Sequence, residues 1–304
     1  MYTGPTTFAK LQGSVIAVPP LARNADLTVN KAENTKLVRH LEASGVNTLL
    51  YGGNAVFYHI SLGEYDSVLG MLSEIAAKDT WVVPSVGPAF GTMMDQAKIL
   101  KNHNFPTTMM LPPHFASTPA GYATAFRKFV ETVGKPGVLY LKEENILDIE
   151  NAKKLVNDGL VSWIKYAVVR KYTPDDKYLS DLLQVVDPKI VISGIGEQPA
   201  IIHMRDFGIA GFTAGCVCVA PKPSADLLKA IVAKNWNEAE RLRRIFVDLE
   251  DLRNGISPIR VLHDAVTLAG IGNMGPILPL LSNLNDQHKL AVGAAAKALL
   301  ALNK

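Results

Sequence analysis

The sequence predicts an α/β fold, a closed (β/α)8 TIM barrel with a C-terminal helical extension. Three observations predict it. Eight short apolar segments are each separated from the next by one helical pattern, several of the helices end at glycine, and residues after 220 carry only helical periodicity. The 304 residues are enough for one large domain of this kind with a sizeable buried core.

Each predicted strand is a short apolar run, as expected for a parallel strand that is buried on both faces. The eight runs occupy residues 14–21, 45–54, 81–88, 105–113, 137–143, 159–169, 189–196 and 208–215. Helical periodicity fills the intervals at residues 29–43, 62–77, 91–103, 121–134, 148–159, 174–186 and 197–208. Glycines mark the helix ends at Gly45, Gly134, Gly159 and Gly208.

The C-terminal part contains no strand candidate. Residues 225–235, 236–252, 258–270 and 288–303 repeat apolar side chains at helical spacing. We therefore expect residues 1–220 to form the barrel and residues 221–304 to form a helical extension packed on it. An open doubly wound sheet is the competing fold, but the early segment YGGNAVF lacks the G-x-G-x-x-G spacing of its phosphate turn.

Composition narrows the class of partner. The formal charge is +3 and the basic residues are scattered, so the sequence favours a small-molecule partner over nucleic acid or a membrane surface. No apolar run has the length of a membrane span and no signal-peptide pattern is present, so we expect a cytoplasmic protein. Cys216 and Cys218 are too few and too close for a disulfide framework or a full zinc site, and are expected to be buried free thiols.

The sixth predicted strand carries a lysine, Lys165, in the middle of an apolar run. Burial disfavours the ammonium form, so this lysine must reach the strand end, find a carboxylate or lose its proton. A neutral amine attacks a ketone or aldehyde carbon and forms a Schiff base. Lys165 is therefore the candidate nucleophile.

In a (β/α)8 barrel the reacting groups stand at the carboxyl ends of the strands. The candidate residues at these positions are Gly53 and Asn54 after strand two, His114 after strand four, Tyr140, Lys142 and Glu144 along strand five, Ser193 and Gly194 at strand seven, and Thr213 on strand eight. None forms a cluster with metal-ligand spacing, and no acidic pair stands out, so neither a metal nor another cofactor is predicted.

These residues, in their order and spacing, resemble the dihydrodipicolinate synthase and N-acetylneuraminate lyase family, from about residue 14 to residue 281. The segments GGNAVFYHIS, LPPHF, GFTAGCVCVAP and ISPIRVLHDAVTLAG are similar to motifs of that family. In the family, the strand-five tyrosine shuttles protons and the strand-six lysine forms the Schiff base. The resemblance implies these roles for Tyr140 and Lys165, and it implies a homo-oligomer, usually a tetramer built from dimers, with the loop PPHFAST near a subunit contact.

The chain departs from the family at several positions. The family's two hydroxyl residues, glycine and glutamate after strand two are replaced by Gly53, Asn54, Ala55 and Val56, its strand-four tyrosine by His114, its synthase arginine by Asn145, and a lysine near its end by Arg260. The backbone of Gly53 and Asn54 remains able to bind a carboxylate, although an ordinary turn is the alternative. His114 either relays protons or is simply solvated.

Lys142 either supplies the positive charge lost with the arginine or pairs with Glu144, and Thr213 is a weaker substrate contact. The predicted activity is that of a Schiff-base-forming lyase or aldolase acting on pyruvate or another 2-oxo acid. A dehydratase of 2-oxo-3-deoxy sugar acids and a barrel that binds a ligand without turnover remain the alternatives. Without the synthase arginine, aspartate semialdehyde is expected to be a poor second substrate.

Overall fold

The computed structural model describes residues 1–113 and 116–304, and it confirms the predicted barrel. Nine parallel strands form one sheet in the order β3-β2-β1-β9-β8-β7-β6-β5-β4. The strands are β1 (Ile16–Ala17), β2 (Thr48–Leu50), β3 (Trp81–Val83), β4 (Ser85–Val86), β5 (Met109–Met110), β6 (Gly137–Leu141), β7 (Val161–Tyr166), β8 (Val191–Ser193) and β9 (Gly211–Ala214).

The count of nine arises because the third predicted strand is divided at Pro84 into β3 and β4. Proline has no N–H to donate to a neighbouring strand, so the ladder is interrupted there. Its carbonyl still accepts the N–H of Met109 at 2.9 Å. β3 pairs with β2 and β4 pairs with β5. The segment that contains β3 and β4 therefore takes the place of one barrel strand between β2 and β5.

The helices surround this sheet. They are α1 (Phe8–Gln12), α2 (Lys31–Glu42), α3 (Leu62–Ile75), α4 (Phe90–Leu100), α5 (Pro119–Val133), α6 (Ile149–Asn157), α7 (Lys177–Leu183), α8 (Ala200–Asp206), α9 (Pro221–Val232), α10 (Trp236–Arg244), α11 (Val247–Ile256), α12 (Pro258–Leu268) and α13 (Asp286–Ala301). The four glycines predicted to end helices all adopt positive φ, between 69° and 78°. Helix α1 was not expected from the sequence; its Leu11 is buried against the barrel.

The single helix expected over residues 236–252 is two helices, α10 and α11, which break at Ile245 and Phe246. Periodicity hides this break because both halves keep an apolar face, with Leu242 and Leu249 buried. The break matters for the site, since the C-terminal end of α11 and the start of α12 reach the carboxyl ends of the strands. Within the described residues, Cys216 and Cys218 are buried free thiols, and none of the helices has the length and apolarity needed to span a bilayer.

Candidate active site

A cavity of about 260 Å³ opens at the carboxyl ends of the strands. Its wall is formed by strand ends, the loops after them and the junction between α11 and α12. The polar side chains in this wall are those of Asn54, Tyr58, Tyr140, Lys142, Lys165, Thr213, Arg253, Asn254 and Ser257. Among the described residues, the wall therefore contains three basic side chains and no aspartate or glutamate.

Lys165 and Tyr140 are direct partners across β7 and β6. The Lys165 Nζ atom lies 4.4 Å from the centre of the Tyr140 ring, and the lysine is only 7% exposed. Burial, followed by the charges of Arg253 and Lys142, lowers the pKa of Lys165 from 10.5 to about 7. A substantial fraction of this amine is therefore neutral near pH 7, as a nucleophile requires.

Gly194 leaves room for the Lys165 side chain. A Cβ atom at position 194 would lie 2.6 Å from the Ala167 Cβ, 2.9 Å from the Tyr166 carbonyl oxygen and 3.0 Å from the Lys165 Cγ. The Gly194 N–H also donates to the Tyr166 carbonyl at 2.5 Å, which holds the end of β8 against the end of β7. The glycine is thus required by the close approach of two strands beside the nucleophile.

Tyr140 presents a protonated phenol to the cavity. Burial raises the pKa of Tyr140 to about 12, although the charge of Arg253 acts in the opposite direction. The Tyr122 hydroxyl donates to the Tyr140 carbonyl at 3.4 Å. Tyr58, from the short turn after β2, also lines the cavity, and burial together with the nearby Tyr140 raises the pKa of its hydroxyl. Both phenols stay protonated at neutral pH and are available as proton donors.

Gly53 and Asn54 line the cavity in the turn that follows β2. The Asn54 side chain donates to the Val18 carbonyl at 3.0 Å and so holds the turn against the end of β1. Within the described ranges, the backbone N–H groups of Gly53 and Asn54 have no acceptor. Two such groups in a turn form a concave donor site that suits a carboxylate.

The other predicted site residues divide between the cavity and its surroundings. Lys142 and Thr213 line the cavity, whereas Ser193 is buried away from it with its hydroxyl 2.7 Å from His203 Nδ1. Glu144 forms an ion pair with Arg170, and no ion pair joins it to Lys142 in the part of the chain that the structure describes. The ammonium group of Lys142 is therefore not engaged by Glu144 and can interact with a ligand in the cavity.

Asn145 and His114 were also singled out in the sequence. Asn145, which stands where the synthases carry an arginine, is exposed and does not line the cavity. His114 lies outside the described residues, as does Phe115 of the predicted subunit-contact loop.

Sequence reasoning missed Arg253. It lies in the helical extension, almost ninety positions after Lys165, on α11, a helix separate from α10 whose C-terminal part lines the cavity. The Arg253 Nη1 atom donates to the Ile195 carbonyl at 3.1 Å and to Asn254 Oδ1 at 3.2 Å. No sequence motif signalled this placement, since basic residues also occur along the exposed face of α10.

One buried cluster could hold a metal ion among the described residues. It consists of Glu197, Cys216 and Glu250, whose ligand atoms lie within 4.8 Å of one another. Glu250 already accepts the N–H groups of Glu197 and Gln198, each at 2.9 Å. Burial raises the pKa of both carboxyl groups, and for Glu197 the neighbouring Glu250 raises it further. A proton shared between the two carboxyl groups accounts for this arrangement without a cation.

Comparison with known proteins assigns the family. The family model for the dihydrodipicolinate synthetase family matches residues 11–299, so the chain belongs to that family. Its members are lyases and aldolases built on this barrel. A search of curated proteins found no match.

Solved structures share the fold at low sequence identity. Dihydrodipicolinate synthase from Bacillus clausii is 20% identical with a TM-score of 0.84, and the alignment covers 96% of this chain and 99% of that one. Sialic acid aldolase from Ruminococcus gnavus is 15% identical with a TM-score of 0.83, covering 96% and 98%. A prophage protein of the same family from E. coli K12, solved in complex with pyruvate, is 17% identical with a TM-score of 0.80, covering 94% and 98%.

Proposed function

We propose that the protein is a Schiff-base-forming lyase of the aldolase type that acts on pyruvate or a related 2-oxo acid. The observation that carries the proposal is the pairing of Lys165 with Tyr140 in the cavity wall, with the lysine buried and its pKa lowered to about 7. The pyruvate complex of the E. coli family member supports the same substrate class.

The chemistry begins with the neutral Lys165 amine. Its nitrogen bonds to the ketone carbon of the 2-oxo acid, and loss of water from the resulting carbinolamine leaves a protonated Schiff base. Removal of a proton from the adjacent carbon then gives an enamine, which forms a carbon–carbon bond to an aldehyde. Cleavage is the reverse sequence, and hydrolysis returns the free amine.

The surrounding residues have separate roles in this proposal. Tyr140 moves the protons of carbinolamine formation and collapse, because its hydroxyl-bearing ring is the nearest neighbour across the strand pair. The N–H groups of Gly53 and Asn54 hold the carboxylate of the 2-oxo acid. Thr213 contacts the substrate from β9.

We also propose a homo-oligomer, either a dimer or a tetramer. Beside Pro113 and residues 116–118 lies an open apolar surface that includes Pro88, Ala89 and Phe90, and Phe90 is 50% exposed. Exposed apolar surface of this kind supports a closed symmetric assembly. Sedimentation at micromolar concentration tests it, and a monomer alone would contradict it.

Reduction of the protein with borohydride in the presence of pyruvate tests the activity itself. A covalent pyruvyl-derived mass on Lys165 supports the proposed lyase. Absence of trapping with a panel of 2-oxo acids favours a barrel that binds its ligand without turnover, and accumulation of dehydrated products from 2-oxo-3-deoxy sugar acids favours the dehydratase.

A further inference from the structure

The cavity carries more positive charge than a single carboxylate needs. Lys142 and Arg253 both line it, and the charges of both lower the pKa of Lys165, which places them close to the nucleophile. Among the described residues, no aspartate or glutamate lines the wall to neutralise them. Once Lys165 has become a protonated Schiff base, a third positive charge is present. An adduct with one carboxylate would leave a net positive charge enclosed in this cavity.

Arg253 is held so that part of its guanidinium group remains available. Nη1 is fixed by the Ile195 carbonyl and Asn254 Oδ1, and Nε is buried, whereas Nη2 makes no hydrogen bond among the described residues and is not buried. No carboxylate within the described ranges forms an ion pair with it. Glu250, one helical turn before it on α11, accepts the N–H groups of Glu197 and Gln198, and the charge of Arg253 acts to lower its pKa, so it offsets part of that charge without forming an ion pair. The Nη2 N–H groups are therefore the donors of this guanidinium that are left for a ligand in the cavity.

The order of the strands separates two anion-binding regions. Around the closed barrel, β7 with Lys165 lies opposite β2, whose following turn offers the N–H groups of Gly53 and Asn54. The two cations lie at the ends of the strands next to β7: Lys142 directly follows β6, and Arg253, from α11, donates to the carbonyl of Ile195 just after β8. A 2-oxo carboxylate bound across the barrel at the turn leaves these cations facing the remainder of the substrate.

We propose that Arg253, assisted by Lys142, binds a second acidic group of the substrate, so that the physiological 2-oxo acid or its aldol product is a dianion. This inference rests on the proposed function, because it assumes that a 2-oxo acid is attached to Lys165. It also revises the expectation drawn from Asn145. The guanidinium that the strand-five loop lacks is supplied by α11, so an acidic second substrate is favoured.

The test compares 2-oxo acids of equal length that differ only in a terminal carboxylate. 2-Oxoglutarate is paired with 2-oxopentanoate and 2-oxoadipate with 2-oxohexanoate, and pyruvate serves as the common reference. Each is trapped with cyanoborohydride, and the concentration giving half-maximal labelling of Lys165 is read by intact mass. The measurements are made on wild type, Arg253→Gln, Arg253→Lys and the control Arg244→Gln, whose arginine is exposed on α10 and paired with Glu240. The pH is set well above 7, where Lys165 is neutral in every variant.

Wild type and Arg244→Gln are expected to favour at least one dianion over its matched monoanion by roughly 30-fold or more, the effect of removing a charged partner from a desolvated site. Arg253→Gln is expected to lose that preference while still trapping pyruvate. Arg253→Lys is expected to keep part of it, because the charge remains but the bidentate fork does not.

Four results would overturn the inference. If wild type traps monoanions and dianions equally well, the site does not recognise a second acidic group. If the preference for dianions survives in Arg253→Gln, Arg253 is not the residue that binds that group. If Arg253→Gln folds but fails to trap pyruvate even at high pH, Arg253 serves the first carboxylate instead. If wild type traps no 2-oxo acid, including pyruvate, the proposed function fails first and the inference falls with it.

Discussion

Lys165 and Tyr140 face each other across neighbouring strands, with the lysine Nζ 4.4 Å from the centre of the tyrosine ring. The register of β6 and β7 sets this contact, so it does not depend on a mobile loop. It places a buried amine and a protonated phenol side by side in the wall of one cavity. The predictions below follow from this pair and from the residues that adjust it.

Lys142 is predicted to tune the reactivity of Lys165. Its charge helps to lower the lysine pKa to about 7, so Lys142→Gln should raise that pKa. Trapping of pyruvate rises with pH through the pKa of the amine, and its midpoint should therefore move upward in the variant. At a pH below the midpoint the trapping rate should fall by roughly threefold, corresponding to about half a pKa unit. Lys154→Gln, an exposed lysine on α6, is the control and should leave the midpoint unchanged. A downward shift would contradict the proximity of the two amines.

Burial of Lys165 is predicted to cost stability in a pH-dependent way. The lysine has an ordinary pKa of 10.5 in the unfolded chain and about 7 in the folded protein. Between these values the unfolded chain binds more protons, so the stability of wild type rises with pH across that interval. Lys165→Met has a similar volume and does not titrate. Its stability advantage over wild type should be largest near pH 7 and shrink by a few kcal/mol as the pH approaches 10.5. Urea unfolding across this range measures the difference, and a constant difference would refute the shifted pKa.

Tyr140 is predicted to act in proton transfer and not in forming the cavity. Tyr140→Phe keeps the ring beside Lys165 and removes only the hydroxyl, so the fold should be retained. Exchange of the pyruvate methyl hydrogens for deuterium, followed by NMR, should slow by roughly 100-fold to 10,000-fold, the usual contribution of a general acid–base group. Tyr172→Phe removes an exposed hydroxyl and should exchange at the wild-type rate. If Tyr140→Phe exchanges the methyl hydrogens at the wild-type rate, another group carries out the proton transfer, and Tyr58 is the first residue to test.

Gly194 is predicted to be required for the position of the nucleophile. In Gly194→Ala the new methyl group would meet the Ala167 Cβ, the Tyr166 carbonyl oxygen and the Lys165 Cγ at 3.0 Å or less. Relief of this overlap must move β8 or the lysine, at a cost of roughly 1–3 kcal/mol in stability and a larger loss of trapping rate. Gly70→Ala on α3, where nothing lies within 4 Å of the new methyl group, should be neutral or slightly stabilising. Equal behaviour of the two variants would show that the strands can separate at little cost.

Local sequence pattern was sufficient to predict the barrel and to single out Lys165 as the candidate nucleophile. Eight apolar runs, several of them preceded by a glycine that ends a helix, indicate the strands, because parallel strands that are buried on both faces have nearly continuous apolar sequences. Lys165 is visible because a lysine within such a run is an exception that needs a reason. Tyr140 and the turn at Gly53 and Asn54 were predicted from their positions near the carboxyl ends of strands, and all of these residues line the cavity.

What the sequence did not reveal depends on contacts between distant segments. Arg253 lies on α11, a helix separate from α10, and apolar periodicity continues across the break between the two helices. The competing interpretation of Lys142 as a partner of Glu144 was equally open in the sequence. It was settled by Arg170, which comes from the loop after β7 and pairs with Glu144. Pairing preferences between loops are set by tertiary packing, so local spacing carries no signal for them.

The most direct test of the central claim is the location of the covalent adduct. Wild type incubated with pyruvate and borohydride should gain one pyruvyl-derived mass per chain, and peptide mapping should place it on Lys165. Lys165→Met should gain no mass, and Lys142→Gln should still be labelled at Lys165. An adduct on Lys142 in wild type, or undiminished labelling of Lys165→Met, would contradict the assignment of the nucleophile and the account of the cavity built on it.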